Sequence, residues 1–271
     1  MLMFRLAAGA VGVFLWVAIA PATQAAQCGS TSAGFSAWKT AFAAEAKQHG
    51  IGPRGVSALL GASYAPQTIS ADRSQSSFKL SLADFMAQRR GRWVISHGRS
   101  LKSSKAAFFA SIESRYGVPP GPLLAIWGME TGFGWFSGNQ NTISAVATLA
   151  YDCRRTAYFT DHLNAALKLI DRGVMTSSTH GAMHGEVGQT QFLPKNILLY
   201  GADGNGDGHV DLSADADALA STAKFLKAHG WSKGGGYQPG QVNFRVIQAW
   251  NAASVYERAL AFIANSIDTG G

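Results

Sequence analysis

From Phe35 to its end this chain repeats apolar residues three and four positions apart, and no stretch alternates with a period of two. That pattern restricts it to packed amphipathic helices. Phe35, Trp38, Phe42 and Ala46 form the first such stripe, and Val56, Leu59 and Leu60 a shorter one. The same spacing predicts helices over Leu80–Arg90, Lys102–Tyr116, Leu123–Met129, Thr142–Ala150, Arg155–Asp171, Pro194–Tyr200, Ala214–Ala228 and Gln241–Ser266. Pro119, Pro120 and Pro122 mark a helix entry, where proline is tolerated. Ala62–Ser76 reads as an irregular polar surface segment. The fold class expected is all-α, with at most minor β.

Ahead of the helices, Arg5 precedes the apolar run Leu6 to Ala20, then Pro21 and small residues ending at Ala25. This is the layout of a cleaved secretory leader, residues 1–25, and the run is short for a membrane span. A retained anchor is the alternative. A lipoprotein fits poorly, because Gln27 precedes Cys28. Export to the periplasm is expected, with residues 26–271 as the mature protein. In an oxidising compartment, Cys28 and Cys153, the only two cysteines, either form one disulfide or remain two thiols.

The formal net charge of +7 favours polyanionic partners. There is no long Lys/Arg run and no nucleic-acid-binding motif, and an exported basic chain meets the anionic cell wall first, so charge alone decides nothing. His180 and His184 have helical spacing but lack the motif and third ligand of a zinc site.

Five glutamates allow elimination. Glu45, Glu113 and Glu257 lie in amphipathic stretches and read as solvated-face residues. Glu130 lies within Ile126-Trp127-Gly128-Met129-Glu130-Thr131-Gly132-Phe133-Gly134-Trp135, at a helix end among aromatic rings. An apolar setting raises a carboxyl pKa and suits it to donate a proton near neutrality. The residues alone fit a catalytic acid and an unremarkable helix end equally well. Glu186 shares the glycine-rich, charge-poor context.

Trp127–Gly134 resembles the catalytic-glutamate segment of the membrane-bound lytic murein transglycosylase B family. Further segments are similar in the same order: Ala147–Tyr151 followed by Arg154-Arg155, Gly188–Pro194, Asp203–Asp217 and Lys227–Trp231. Trp250-Asn251 and Tyr256 fall where that family carries a Tyr-Asn pair and a later Tyr. The resemblance runs from about residue 33 to the C-terminus. It implies a helical N-terminal part over about 33–118 and a lysozyme-like core with a catalytic cleft over about 119–271.

The activity implied is cleavage of peptidoglycan glycan strands with formation of a 1,6-anhydromuramyl end, Glu130 acting first as acid and then as base. Gln191 and Phe192 would line the sugar cleft beside Phe225, Trp250, Asn251 and Tyr256, and Arg154 and Arg155 would bind substrate carboxylates. Glu186 departs from the family pattern. It is either a second carboxylate, which would permit a muramidase-type hydrolysis, or a loop residue held by backbone amides. A non-catalytic wall-binding protein is the reading from a different class, and cell-wall enzyme or secretion-machine partners remain open.

Asp203-Gly204-Asn205-Gly206-Asp207-Gly208-His209 fits the start of an EF-hand loop, with side-chain oxygens at positions one, three and five and glycine at six. His209 would give its backbone carbonyl. Ala214 occupies position twelve, and the resemblance supplies Asp217 as the last ligand. Five of the sixteen acidic residues lie in this stretch, where a structural Ca2+ would relieve their repulsion. An Asp/Gly surface turn is the alternative. No organic cofactor is expected.

Overall fold

The computed structural model describes residues 26–74 and 79–270. The leader read at residues 1–25 lies outside the described residues. Thirteen helices are described: α1 Phe35–Gln48, α2 Pro53–Gly61, α3 Pro66–Arg73, α4 Leu82–Gln88, α5 Gly91–Ser104, α6 Ala106–Tyr116, α7 Pro120–Thr131, α8 Thr142–Tyr151, α9 Thr156–Asp171, α10 Pro194–Tyr200, α11 Asp215–Ala228, α12 Phe244–Trp250 and α13 Ser254–Thr269. One antiparallel pair, β1 Gln140–Asn141 with β2 His180–Gly181, supplies the minor β. Among the described residues no helix is long and apolar enough to cross a membrane.

Two helices are buried on nearly every side, as their almost unbroken apolar sequences require. In α8 all ten residues are buried. In α7 Gly121 to Met129 and Thr131 are buried, leaving Glu130 partly exposed at the penultimate position. α7 packs chiefly against α13 and α5. Gly128 permits the α5 approach, since a Cβ there would sit 2.4 Å from Val94 Cγ1.

Remote carboxylates cap helices whose own N-cap residues cannot. Asp268 on α13 accepts from the Gly121 N–H at 2.8 Å, at the start of α7. Asp171 on α9 accepts from Gly52 and Gly55 at 2.6 and 2.8 Å, at the start of α2. Each satisfies first-turn donors and places negative charge at a positive helix end. Near the N-terminus, Cys28 is bonded to Cys153, and the Gly29 N–H donates to the Tyr151 carbonyl at 3.0 Å.

Four features differ from the sequence reading. The segment read as irregular contains α3, whose buried face is Thr68, Ile69 and Asp72, too polar to make an apolar stripe. Helix α5 is absent from that reading: the helix expected over Lys102–Tyr116 is mostly α6, which starts at Ala106, and α5 before it buries Gly91, Val94 and Gly98, a face whose glycines hide its period. The single helix expected over Gln241–Ser266 is two, broken where extended Asn251 accepts the Ala253 N–H at 3.0 Å. That second helix also buries Glu257, 6% exposed, which was read as solvated.

Candidate active site

Glu130 projects from the last turn of α7, which Gly132 ends in the left-handed conformation. The Tyr256 hydroxyl donates to Glu130 Oε1 at 2.5 Å, and the Trp250 indole N–H reaches the same oxygen at 3.3 Å. Burial raises the Glu130 carboxyl above its ordinary value. Those two donors and the Arg89 guanidinium oppose the rise, the negative charge of Glu186 adds to it, and the net effect is upward. Burial and the neighbouring carboxylate push the Tyr256 phenol well above its usual range, so it remains a donor.

The segment after Glu130 is locked to a second loop. The Trp127 indole N–H donates to Gln189 Oε1 at 2.8 Å, and the Thr131 hydroxyl donates to the Gln189 carbonyl at 2.6 Å. Phe133 takes a positive φ of 63°, and its ring packs against Trp93, His97 and Trp127. Gln191, itself at φ 59°, donates its side-chain amide to the carbonyls of Ser137 and Gly188 at 3.1 and 2.8 Å. Beyond Phe133 the chain turns outward, and Trp135 and Phe136 are 82% and 64% exposed.

The residues expected around the cleft separate into two groups. Glu130, Trp250 and Tyr256 meet directly, and Asn251 shapes the turn between Trp250 and Tyr256. Phe192 and Phe225, by contrast, are buried. Phe192 is 1% exposed, its backbone pairs with Val187, and both rings stack edge-on behind Trp250 at 5.3 and 5.2 Å. The aromatic wall of the site therefore has a buried backing. Two grooves of about 960 and 970 Å³, one beside Tyr64 and Ser144 and one beside Met86 and Trp93, do not include Glu130 in their linings.

Arg154 and Arg155 were expected at substrate carboxylates. They lie just before α9, and both turn to Asp72 on α3, Arg155 at 2.8 Å. An acid inside the protein competes for them, and its partners are far away in sequence. Glu186 is partly buried, with His184 Nδ1 at 3.3 Å and the His184 N–H donating to it at 3.1 Å. Burial alone would raise its carboxyl, but the His184 contacts outweigh this and hold it below the ordinary range.

In the acidic loop, Gly208 has φ 86° at the sharp turn. Asp203 accepts the Gly206 and Gly208 N–H groups, which lowers its carboxyl pKa. Asp217, buried, accepts from Gly204, Asn205 and Asp211. Asn205 and Asp207 accept from Asp207 and His209. Among the described residues no three His, Cys, Asp or Glu side chains cluster as metal ligands. The donors are all oxygen, the chemistry calcium takes, and a carboxylate with about four acceptor sites can hold both an amide and a cation.

Gln189, Thr131 and Arg89 are site residues the sequence reading did not find. Gln189 and Thr131 belong to no residue class that announces chemistry, and Gln189 acts 62 positions from Trp127.

The sequence profile of the Transglycosylase SLT domain family matches residues 34–240. The membrane-bound lytic murein transglycosylase B of Escherichia coli (strain K12) is 38% identical over 121 residues, covering 44% of this chain and 34% of that protein. The matched part is thus about a third of that relative's length. SltB3 from Pseudomonas aeruginosa, in complex with NAG-NAM-pentapeptide, superposes with a TM-score of 0.80 at 29% identity, over 87% of this chain and 80% of that one. The Escherichia coli lytic transglycosylase Slt35 in complex with calcium shares the fold, with a TM-score of 0.72 at 20% identity over 90% and 96% of the two chains.

Proposed function

The chain belongs to the Transglycosylase SLT domain family, and on that premise we propose that it cleaves peptidoglycan glycan strands as a lytic transglycosylase with Glu130 as its acid and base. The observation that carries this is a single carboxyl at the end of a buried helix, raised by burial yet held by two donors. Burial favours the protonated Glu130 carboxyl, which delivers its proton to the glycosidic oxygen between N-acetylmuramic acid and N-acetylglucosamine. Tyr256 and Trp250 then stabilise the carboxylate left behind. That carboxylate takes the proton of the muramyl C6 hydroxyl as its oxygen closes on C1, giving the 1,6-anhydro ring without water. Trp135 and Phe136 offer exposed aromatic faces to sugar rings close by. The complex of SltB3 with NAG-NAM-pentapeptide supports the same substrate class.

Mass spectrometry of muropeptides released from purified peptidoglycan tests the reading. Products one water lighter than hydrolytic ones are expected, and none from Glu130→Gln. The second reading, hydrolysis, rests on Glu186, whose carboxyl is held below the ordinary range while that of Glu130 is raised, and reducing-end products would select it.

A structural calcium in the loop is part of the same proposal, with Asp203, Asn205, Asp207, the His209 carbonyl and Asp217 as its ligands. The oxygen donor set, the turn at Gly208 and the complex of Slt35 with calcium support it. The expected affinity is about 0.1–1 mM, as for extracellular sites. Added calcium should raise the melting temperature and a chelator reverse the rise, and no shift at about 5 mM would dismiss the site. A periplasmic location is likewise proposed, supported by the leader pattern and by the Cys28–Cys153 disulfide.

A further inference from the structure

Outside the Glu130 pocket, Asp72, His184 and Glu186 form one connected row of titratable groups. Asp72 on α3 is 5% exposed and receives Arg154 and Arg155. The His184 ring lies between Asp72 and Glu186, its Nε2 4.0 Å from Asp72 Oδ1 and its Nδ1 3.3 Å from Glu186 Oε1. His184 Nε2 is buried without a hydrogen-bond partner, so the ring sits wedged between the two carboxyls.

The backbone under Glu186 has little freedom. Its carbonyl accepts the Ala182 N–H at 2.9 Å, and a Cβ on Gly181 would lie 1.8 Å from that oxygen. The next residue, Val187, exchanges both backbone hydrogen bonds with Phe192, beside Gln191. A carboxylate is thus fixed on the loop that the Gln191 amide ties to the segment following Glu130. Its charge reaches Glu130. Nothing in acid–base cleavage by Glu130 alone uses it.

We propose that Glu186, positioned by His184 and Asp72, accepts the N–H of the 2-acetamido group on the sugar whose C1–O4 bond is cut, and so aims the acetamido oxygen at C1. The proposal rests on the glycan-cleaving reading above. As Glu130 passes its proton to O4 and the C1–O4 bond breaks, the acetamido oxygen bonds to C1. Positive charge then spreads onto the amide nitrogen, whose N–H faces the carboxylate. When the C6 oxygen takes C1, the bond from the acetamido oxygen breaks and the C6 proton passes to Glu130. Glu186 gains and loses no atom. As an acceptor only, it strengthens its hydrogen bond as the charge develops, so it acts on the transition state more than on binding.

The test compares the parent with Glu186→Gln on intact peptidoglycan and on peptidoglycan N-deacetylated at its muramyl sugars. On intact strands kcat is expected to fall on the order of 10²-fold, the scale of one preorganised electrostatic partner, with KM little changed and anhydro products retained. On deacetylated strands parent and variant should cut equally slowly. His184→Gln, which frees the carboxylate without removing it, should give a smaller loss of kcat, and melting curves of both variants show whether they fold. An unchanged kcat in folded Glu186→Gln, an equal loss on both substrates, or a change confined to KM overturns the proposal. Reducing-end products that vanish in Glu186→Gln would overturn it too, by making Glu186 the base for water. If the parent releases no anhydro product from either substrate, it is the glycan-cleaving reading that fails.

Discussion

Glu130→Gln removes the acid while keeping the size of the side chain and an acceptor for Tyr256. Activity on purified peptidoglycan is expected to fall by about 10²–10⁴-fold, the contribution of a general acid–base group. Stability of the same variant is the stricter test. Burial holds the folded Glu130 carboxyl above its ordinary 4.5, although Tyr256 and Trp250 oppose it. The unfolded chain ionises near the ordinary value. Between the two values the folded protein binds one more proton than the unfolded chain, so stability falls by about 1.4 kcal/mol for each pH unit. The contribution is complete below the unfolded value and is lost as pH rises through the folded one. Glutamine has no proton to lose. At about 2–4 °C per kcal/mol for a domain of this size, the variant's melting temperature should gain about 3–6 °C on the parent per pH unit. The gain should level off once Glu130 ionises in the folded state. Thermal unfolding by circular dichroism from about pH 4 to about pH 8, at constant ionic strength, reads this directly. Parallel curves for parent and variant would refute the raised carboxyl, and with it the reason for choosing Glu130 as the acid.

Tyr256→Phe deletes the 2.5 Å donor to Glu130, so the carboxyl should move further up and carry the alkaline limb of the pH–rate profile with it; a limb that stays or moves down contradicts this. Cys153→Ser opens a loop of 125 residues, a loss of about 5 kcal/mol from chain entropy, and should lower the melting temperature by at least about 10 °C. The reduced parent should melt with the variant, and an unchanged midpoint would argue against the disulfide. Arg155→Ala takes a partner from buried Asp72 and is expected to lower stability by about 1–3 kcal/mol with KM unchanged; the reverse pattern would restore Arg155 as a substrate ligand.

Most of the fold was legible where burial and hydrophobicity coincide. Helices α7 and α8 are apolar on nearly every side, and Pro194 and Pro120 announce the starts of α10 and α7. Legibility failed where a helix buries something else. Helix α3 buries a threonine and an aspartate whose partners are Met183, Arg154 and Arg155, and α5 buries glycines. The break at Asn251 is made by one side chain accepting a local N–H, without glycine or proline to mark it.

The site was legible in part for a related reason. Elimination among five glutamates left Glu130 and Glu186, and the resemblance of Trp127–Gly134 chose Glu130. Its surroundings came from resemblance, and that route named Phe192, which is buried behind Trp250. The geometry explains both outcomes. Glu130 is the penultimate residue of α7, Arg89 caps the C-terminus of α4, Trp250 ends α12 and Tyr256 lies in the first turn of α13. Four helix ends converge on one carboxyl, and Tyr256 lies 126 positions from it. Helical period identifies the face a residue presents within its own helix, but which ends meet is decided by packing between helices. A pattern that spans a few residues can therefore point to the acid and name Trp250 and Tyr256, while their contact with it, and the part of Arg89, is set only once α7 lies against α13 and α5.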